Sequence, residues 1–223
     1  MDYTVNSIQS YETYDWLKHK HYAKRIPPIE HAFGLFDTKN ILCGVITFGT
    51  PVSSTLRNIM QGVYKLMELN RLCVNDGLPK NTLSQFVSKS LLLMPKPICI
   101  VSYADSSQGY HGYIYQATNW IYTGLSIPFK DYYIEGLEHM HHTTLHDLSR
   151  GKENRVEWLR KEFGDKLIMI ERARKHRYFY FLGSKYDLKK MKNLMPYKIL
   201  PYPKGQNKRY DSSYTPTIQT KLF

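Results

Sequence analysis

The sequence has no hydrophobic run of the length that crosses a membrane. A membrane-spanning helix needs about 20 consecutive apolar residues, and the longest apolar stretches of this 223-residue chain are far shorter. The first residues also lack the pattern of a signal peptide. These absences predict a cytoplasmic protein that makes no membrane contact.

Cysteine is scarce as well, with three in the whole chain. Cys43, Cys73 and Cys99 each stand singly inside an apolar, strand-like run. This distribution excludes a disulfide-rich scaffold and predicts buried free thiols in a reducing compartment. A composition of 42% hydrophobic and 14% aromatic residues is typical of a globular domain.

Acidic residues are few in the last third of the chain. Residues 1–149 hold 12 Lys and Arg against 12 Asp and Glu, whereas residues 150–223 hold 19 against 7. Grouped cations interleaved with aromatic residues favour a polyanion such as nucleic acid, and a solvated surface is the alternative. Lys175, Arg177 and Lys204 are the candidate DNA contacts.

Turn residues divide the chain into alternating strands and helices, which predicts an α/β fold. We expect one domain over 1–204, with a partly helical insertion at about 126–165, followed by a flexible basic tail over 205–223. The predicted elements are a helix at 11–20, a hairpin of 32–36 and 41–48, parallel strands at 65–74 and 98–103, helices at 83–94 and 110–118, an insertion helix at 154–163, and a closing pair of strands at 166–172 and 176–182.

The helix predicted at 83–94 follows a strand, a layout that suits phosphate binding. Backbone N–H groups in the first turn of a helix attract an anion. Arg71 on the strand and Ser84 in the first turn could add side-chain donors. The alternatives are an Arg71–Glu68 ion pair and a capping role for Ser84.

The segment from Ser102 to Gly124 has the pattern of a site. The apolar run 98–101 delivers Asp105 to the end of a strand, and Tyr115 follows ten residues later. Ligands of open α/β sheets bind beyond the carboxyl ends of strands. A site containing this carboxylate is therefore predicted there.

Two stretches resemble the GNAT acyltransferases. ELNRLCV with its following helix resembles their acetyl-CoA-binding region, and GYIYQATNW resembles their second signature, with Tyr115 in the place of the tyrosine that protonates a leaving thiolate. The resemblance implies a GNAT-like mixed central sheet flanked by helices and an acyl-CoA cofactor of the acetyl-CoA type. The chain departs from the pattern in its phosphate loop, which offers only Gly77.

A narrower resemblance covers about residues 12–204. ELNRLCVNDGLPKNTLSQFVSKSL, SYAD with QG, YQATNW and KHRYFYFLG follow the order of the phage Mom family of DNA-modification proteins. It implies a phage-encoded transferase that adds a carbamoylmethyl or acetamido-type group to the exocyclic amine of adenine in DNA, which hides the DNA from restriction endonucleases. The partner would be double-stranded DNA with a flipped adenine, and a homodimer is one candidate assembly.

The same resemblance implies roles for individual residues. Arg71, Ser84 and Val74 would hold the cofactor, and His21, Tyr22, Asp105 and Tyr115 would carry the chemistry. A base must take the amine proton, for which His21 or Asp105 has suitable acidity. Tyr22 or Tyr103 would stack on the base or hydrogen-bond to it, with aromatic packing as the alternative.

The group implied by the resemblance is joined through carbon, whereas acetyl transfer joins through the carbonyl. Either the donor is not acetyl-CoA or a further step, metal-assisted and with iron as the candidate ion, intervenes. The spacing of His139, His141, His142, His146 and Asp147 fits no standard metal site, and no metal ligand is predicted. Two other functions stay open: a GNAT acyltransferase acting on a peptide, an RNA or a small amine, and a non-catalytic DNA-binding protein of the same fold.

Overall fold

A computed structural model describes residues 3–137, 145 and 147–205. The chain divides into two compact units. One unit comprises the chain up to Gly124 and again from His176 onward, and the other is Leu125–Lys175. Within the described ranges, no helix is long and apolar enough to cross a membrane.

Nine strands form two sheets in the described chain. They are β1 (Thr4–Ser7), β2 (His31–Phe36), β3 (Leu42–Gly49), β4 (Leu66–Val74), β5 (Ile98–Asp105), β6 (Ile121–Leu125), β7 (Phe129–Ile134), β8 (Leu167–Arg172) and β9 (Lys175–Leu182). The central sheet has the order β1-β2-β3-β4-β5-β9-β6, and β7 pairs with β8 in a separate ribbon. Strands β1 to β4 are antiparallel and β5 is parallel to β4. The predicted mixed α/β fold is confirmed.

The described α-helices are α1 (Ser54–Arg57), α2 (Thr82–Leu93), α3 (Tyr113–Ala117), α4 (Arg155–Phe163) and α5 (Lys185–Leu194). Helix α2 buries Phe86 and Leu91 in a core that also contains Ile100 of β5. Helix α5 buries Met191 in a different core, which contains Val101 of β5. Successive strand residues point to opposite faces, so these cores mark the two faces of the central sheet, called here the α2 face and the α5 face.

Local sequence explains the best-predicted elements. The β2–β3 hairpin turns at Asp37, whose carboxylate accepts hydrogen bonds from the backbone N–H groups of Lys39 (2.9 Å) and Ile41 (2.8 Å). Asn40 takes the positive φ of 60° that such a turn requires. The parallel arrangement of β4 and β5 follows from the α2 crossover between them, and the insertion helix is α4.

Three expectations differ from the structure. The strands predicted as a closing pair do not pair with each other, because β8 pairs with β7 while β9 joins the central sheet. Helix α3 is shorter than predicted because Gly109 and Gly112 take positive φ angles before it begins. The N-terminal helix changes geometry along its length, from a 3₁₀ turn at Ser10–Thr13 to a π-helical turn at Trp16–Lys20.

Candidate active site

The site is centred on a gap between the neighbouring strands β4 and β5. Their parallel pairing runs from Leu66↔Cys99 to Glu68↔Val101. Both strands continue for several residues, all of them described, without another pair. On the other side of β4, the register with β3 shifts at Asn70. Such a bulge bends a strand, which explains why β4 leaves β5 after Glu68.

Ser102 bridges this gap. Its Oγ lies 2.7 Å from the carbonyl oxygen of Leu69 on β4 and 2.7 Å from the hydroxyl oxygen of Tyr115 on α3. A serine hydroxyl has one proton, and a carbonyl oxygen can only accept. Ser102 therefore donates to Leu69 while Tyr115 is neutral and donates to Ser102, and it can turn its proton to Tyr115 once that phenol has ionised.

Tyr115 is held as a protonated phenol. Its side chain is buried and packs against the rings of Trp120 and Tyr178, at centroid distances of 5.0 and 5.1 Å. Burial raises the pKa of Tyr115 to about 12, although the Ser102 hydrogen bond lowers it. At neutral pH the group has a proton to give and a neighbour that stabilises the resulting phenolate.

Asp105 ends β5 and points to the face of the sheet opposite Ser102. By strand alternation it shares the α5 face with Tyr103, two residues earlier, whereas Ser102 points to the α2 face. Its carboxylate is buried and accepts hydrogen bonds at Oδ1 from the N–H (3.0 Å) and Oγ (2.6 Å) of Ser107. These bonds fix the orientation of the carboxylate.

The π-helical turn delivers His21 and Tyr22 to the same region. The His21 backbone N–H donates to the Trp16 carbonyl oxygen at 2.9 Å, five residues back, and π-turns of this kind are frequent at functional sites. The two rings stack at 4.5 Å. Ala23 N–H donates to Nδ1 of His21 at 3.1 Å, so neutral His21 carries its proton on Nε2 and presents a donor there.

The charges that act on Tyr22 identify its surroundings. Burial raises the pKa of this phenol, the charges of Asp105 and Tyr115 raise it further, and Arg71 opposes them. Tyr110 lies edge-on at 6.3 Å. The structure thus brings together Asp105, Tyr115, Arg71 and Tyr22, which were expected to share a site from positions far apart in the sequence.

Arg71 ties β4 to the segment that follows Tyr22. Its guanidinium donates to the carbonyl oxygens of Asn70 (2.6 Å) and, more weakly, of Arg25 (3.4 Å). Burial lowers its pKa, and the Tyr22 and Glu68 groups oppose that shift. The other two predicted cofactor residues lie on the α2 side: Val74 packs on the α2-face core, and the Ser84 hydroxyl donates to the Asn81 carbonyl at 2.9 Å.

Ser102 was given no role from the sequence, and Glu68 only that of an ion-pair partner for Arg71, although both lie at the gap. The negative charge of Glu68 acts on Tyr103, Arg71 and Tyr115. Each is a polar residue that follows an apolar run within its strand, which was a signal available in the sequence. Its meaning depends on where β4 and β5 separate, which the sequence does not disclose.

The three predicted DNA contacts lie in different settings. Arg177 is buried, donates to Oγ1 (2.9 Å) and the carbonyl (3.1 Å) of Thr123, and stacks 3.4 Å from the centre of the Tyr197 ring. A phosphate contact would need that side chain exposed. Lys175 is half-buried at the start of β9, and Lys204 is exposed.

The described residues contain no cluster of three or more His, Cys, Asp or Glu side chains able to hold a metal ion. Of the weighed histidine group, His139, His141, His142 and His146 lie outside the described residues. Asp147 is described and forms an exposed ion pair with Arg150. The described geometry therefore assigns no metal ligand.

Sequence comparison identifies the family. The model of the Mom protein family matches residues 2–204, and the chain belongs to that family. A relative named Methylcarbamoylase mom, from Escherichia phage Mu, is 28% identical over 208 residues, which cover 90% of this chain and 83% of the relative.

Solved structures with a similar backbone fold include a GNAT-family acetyltransferase from Bacillus cereus and an N-acetyltransferase from Staphylococcus aureus. Their TM-scores are 0.40 and 0.43, each at 11% identity, with 81% of this chain covered in both cases and 98% and 99% of the respective neighbours. At scores below 0.5 this likeness carries no weight for function. The family assignment depends on the sequence match.

Proposed function

We propose that this protein is a transferase that modifies the exocyclic amine of adenine in phage DNA with a carbamoylmethyl or acetamido-type group and so protects that DNA from restriction. The observation that carries the proposal is that a buried acid, Tyr115, and an oriented carboxylate, Asp105, both act on Tyr22 near the β4–β5 gap. Membership of the Mom family and the name of the phage Mu relative support the reaction class.

Asp105 is the base in this proposal. The exocyclic amine is a poor nucleophile because its lone pair is shared with the ring, so its proton must leave as the new bond forms. Asp105 is anchored through Oδ1, and a carboxylate in that position can take the proton. His21 presents a donor at Nε2, because its Nδ1 is occupied by the Ala23 N–H. Its role is therefore to orient the substrate or the carboxylate.

Tyr115 is the acid. An acyl-CoA-type donor would supply a group bound to sulfur, and attack on its carbonyl would give the acetamido-type product; a carbamoylmethyl group, joined through carbon, would need a different donor or a further step. Tyr115 would give its proton to the leaving sulfur, and Ser102 would then turn its own proton from the Leu69 carbonyl to the new phenolate. Acid or base catalysis by a positioned side chain accounts for about 100-fold to 10,000-fold in rate.

The start of α2 fits the phosphate end of such a cofactor. Asn81, at the N-cap position, has a φ of 68° and makes no side-chain cap, so first-turn N–H groups keep their capacity to bind an anion. The Ser84 hydroxyl is used within the helix, and Ser84 would contribute its backbone N–H instead. Arg71 lies near Tyr22, whose pKa its charge lowers.

The adenine must leave the duplex to reach this site. Flipping a base costs a few kcal/mol in lost stacking and pairing. Tyr22 is 36% exposed and could stack on the flipped base. Tyr103, on β5, is the second candidate for that contact. Contacts to the DNA backbone would offset the cost of flipping.

Resistance to endonucleases tests the proposal. Plasmid DNA from cells that express the protein should resist several endonucleases whose sites contain adenine, while an endonuclease with a site of only G and C cuts normally. Equal cleavage by all of them, with soluble folded protein present in the cells, would overturn it.

A further inference from the structure

Helix α5 lies on the same face of the sheet as the proposed base. Its Met191 and the following Met195 are buried with Leu66 and Val101. Tyr103 is partly buried against the same cluster. Since Asp105 follows Tyr103 at a spacing of two, it points to this face as well. Helix α5 and Asp105 therefore lie on the same face of the central sheet.

Lysines form a row on the outside of α5. Lys185, Lys189 and Lys192 are exposed and follow the spacing i, i+4, i+7, which aligns side chains along one side of a helix. These three residues are called here the α5 lysine row. At about 1.5 Å of rise per residue the row extends over roughly 10 Å. Lys198 is also exposed, shortly after the helix ends.

The charge of the row is not offset by nearby acids of its own segment. Asp187 is the one carboxylate between residues 183 and 205. Its oxygens accept hydrogen bonds from Ser184 N–H (2.9 Å), Ser184 Oγ (2.6 Å) and Tyr64 Oη (3.0 Å). These bonds cap the start of α5 and hold Asp187 in that role.

A polyanion with closely spaced charges is the complement of this surface. Duplex DNA carries one negative charge per about 1.7 Å of its axis, so a row of roughly 10 Å faces several phosphates. We propose that the α5 lysine row, on the face of the sheet that carries Asp105, is the docking surface for the phosphate backbone of the duplex DNA from which the adenine is flipped. This inference depends on the proposed function for the identity of the polyanion.

The salt dependence of DNA binding tests the docking surface. A variant with Lys189→Gln and Lys192→Gln is compared with a control variant carrying Lys39→Gln and Lys96→Gln, two exposed lysines elsewhere in the chain. Each lost phosphate contact lowers the slope of log affinity against log salt by about 0.9. We expect the α5 variant to lose about 2 from the slope and the control variant to keep the wild-type value.

The outcomes separate this inference from the proposed function. An unchanged slope in the α5 variant would overturn the docking surface, even where the wild-type protein still modifies adenine. A reduced slope supports the docking surface, even where no modified adenine is found. Vesicles containing an anionic lipid are the competing probe: wild-type binding to them, without binding to a duplex, would overturn DNA as the occupant.

Discussion

The two faces of the central sheet differ most where β4 and β5 separate. On the α2 face, Tyr115 is buried among aromatic rings and reaches the gap through Ser102. On the α5 face, Asp105 lies with Tyr103 near the stacked pair of His21 and Tyr22, and helix α5 packs in the core that Tyr103 contacts.

This difference suggests a division of labour between acid and base. A phenol kept away from water retains its proton to about pH 12, as an acid for a leaving group requires. In the proposed mechanism, the oriented Asp105 carboxylate takes the proton of the amine. In that proposed mechanism, the gap lets groups on opposite faces act on one reaction, which two fully paired strands would prevent.

Asp105→Asn should have the largest effect, because it removes the proposed base. The amide oxygen can still accept from Ser107, so the turn is expected to persist. We expect adenine modification to fall by about 100-fold to 10,000-fold with an unchanged melting temperature. The control is Asp147→Asn in the exposed pair with Arg150, which should leave modification near wild type. Activity retained in Asp105→Asn would remove Asp105 from the mechanism.

Tyr115→Phe removes the proposed acid on the other face. The ring still packs against Trp120 and Tyr178, so the fold should hold while the rate of modification drops by about 100-fold. Tyr113→Phe, on the same helix but 61% exposed, is the matched control. Equal rates in the two variants would show that the phenol of Tyr115 is not the acid.

Ser102→Ala breaks the hydrogen-bonded bridge across the β4–β5 gap. Without the serine hydroxyl, the Leu69 carbonyl and the Tyr115 phenol lose their shared partner. One hydrogen bond is worth about 1 kcal/mol, so we expect a rate about 5-fold to 10-fold lower. Ser90→Ala is the control, because Ser90 is also buried but donates to the Phe86 carbonyl of its own helix. A larger loss of modification rate in Ser90→Ala than in Ser102→Ala would contradict the role of Ser102 in supporting Tyr115.

Alkaline pH should weaken the fold gradually. Burial raises the pKa of Tyr115 and of Tyr178 to about 12, from an ordinary value of 10. Above pH 10 the unfolded chain therefore loses these protons before the folded protein does, and stability falls as pH rises toward 12. The melting temperature measured from pH 8 to 11 should decline less in Tyr178→Phe than in Tyr11→Phe, a change at an exposed ring. An identical decline of the melting temperature in the two variants would contradict a contribution of Tyr178 ionisation to this loss of stability.

Short-range patterns in the sequence predicted much of the fold. The hairpin depends on Asp37 and Asn40, and α2 on apolar residues at helical spacing, so each element is encoded within a few residues. The predicted pairing of β8 with β9 was wrong, because a run of alternating residues specifies a strand without specifying its neighbour. Family resemblance, rather than pattern, suggested that residues as distant as Tyr22 and Asp105 share a site.

The parts that the sequence could not predict depend on long-range geometry. Glu68 and Ser102 become significant because β4 bends away from β5, and the bend follows from a register shift against a third strand. Arg177 resembles a surface cation in a basic block, yet its neighbours Thr123 and Tyr197 bury it. Exposure of a long side chain is a property of packing, which composition does not record.

Mass analysis of nucleosides tests the central claim most directly. DNA from cells that express the wild-type protein should yield a deoxyadenosine derivative with an added group on its exocyclic amine, and DNA from cells that express Asp105→Asn at equal level should not. The claim is that Tyr115 on the α2 face and Asp105 on the α5 face form one adenine-modifying site. It would be contradicted if the wild-type culture, with folded protein present, yielded only unmodified deoxyadenosine.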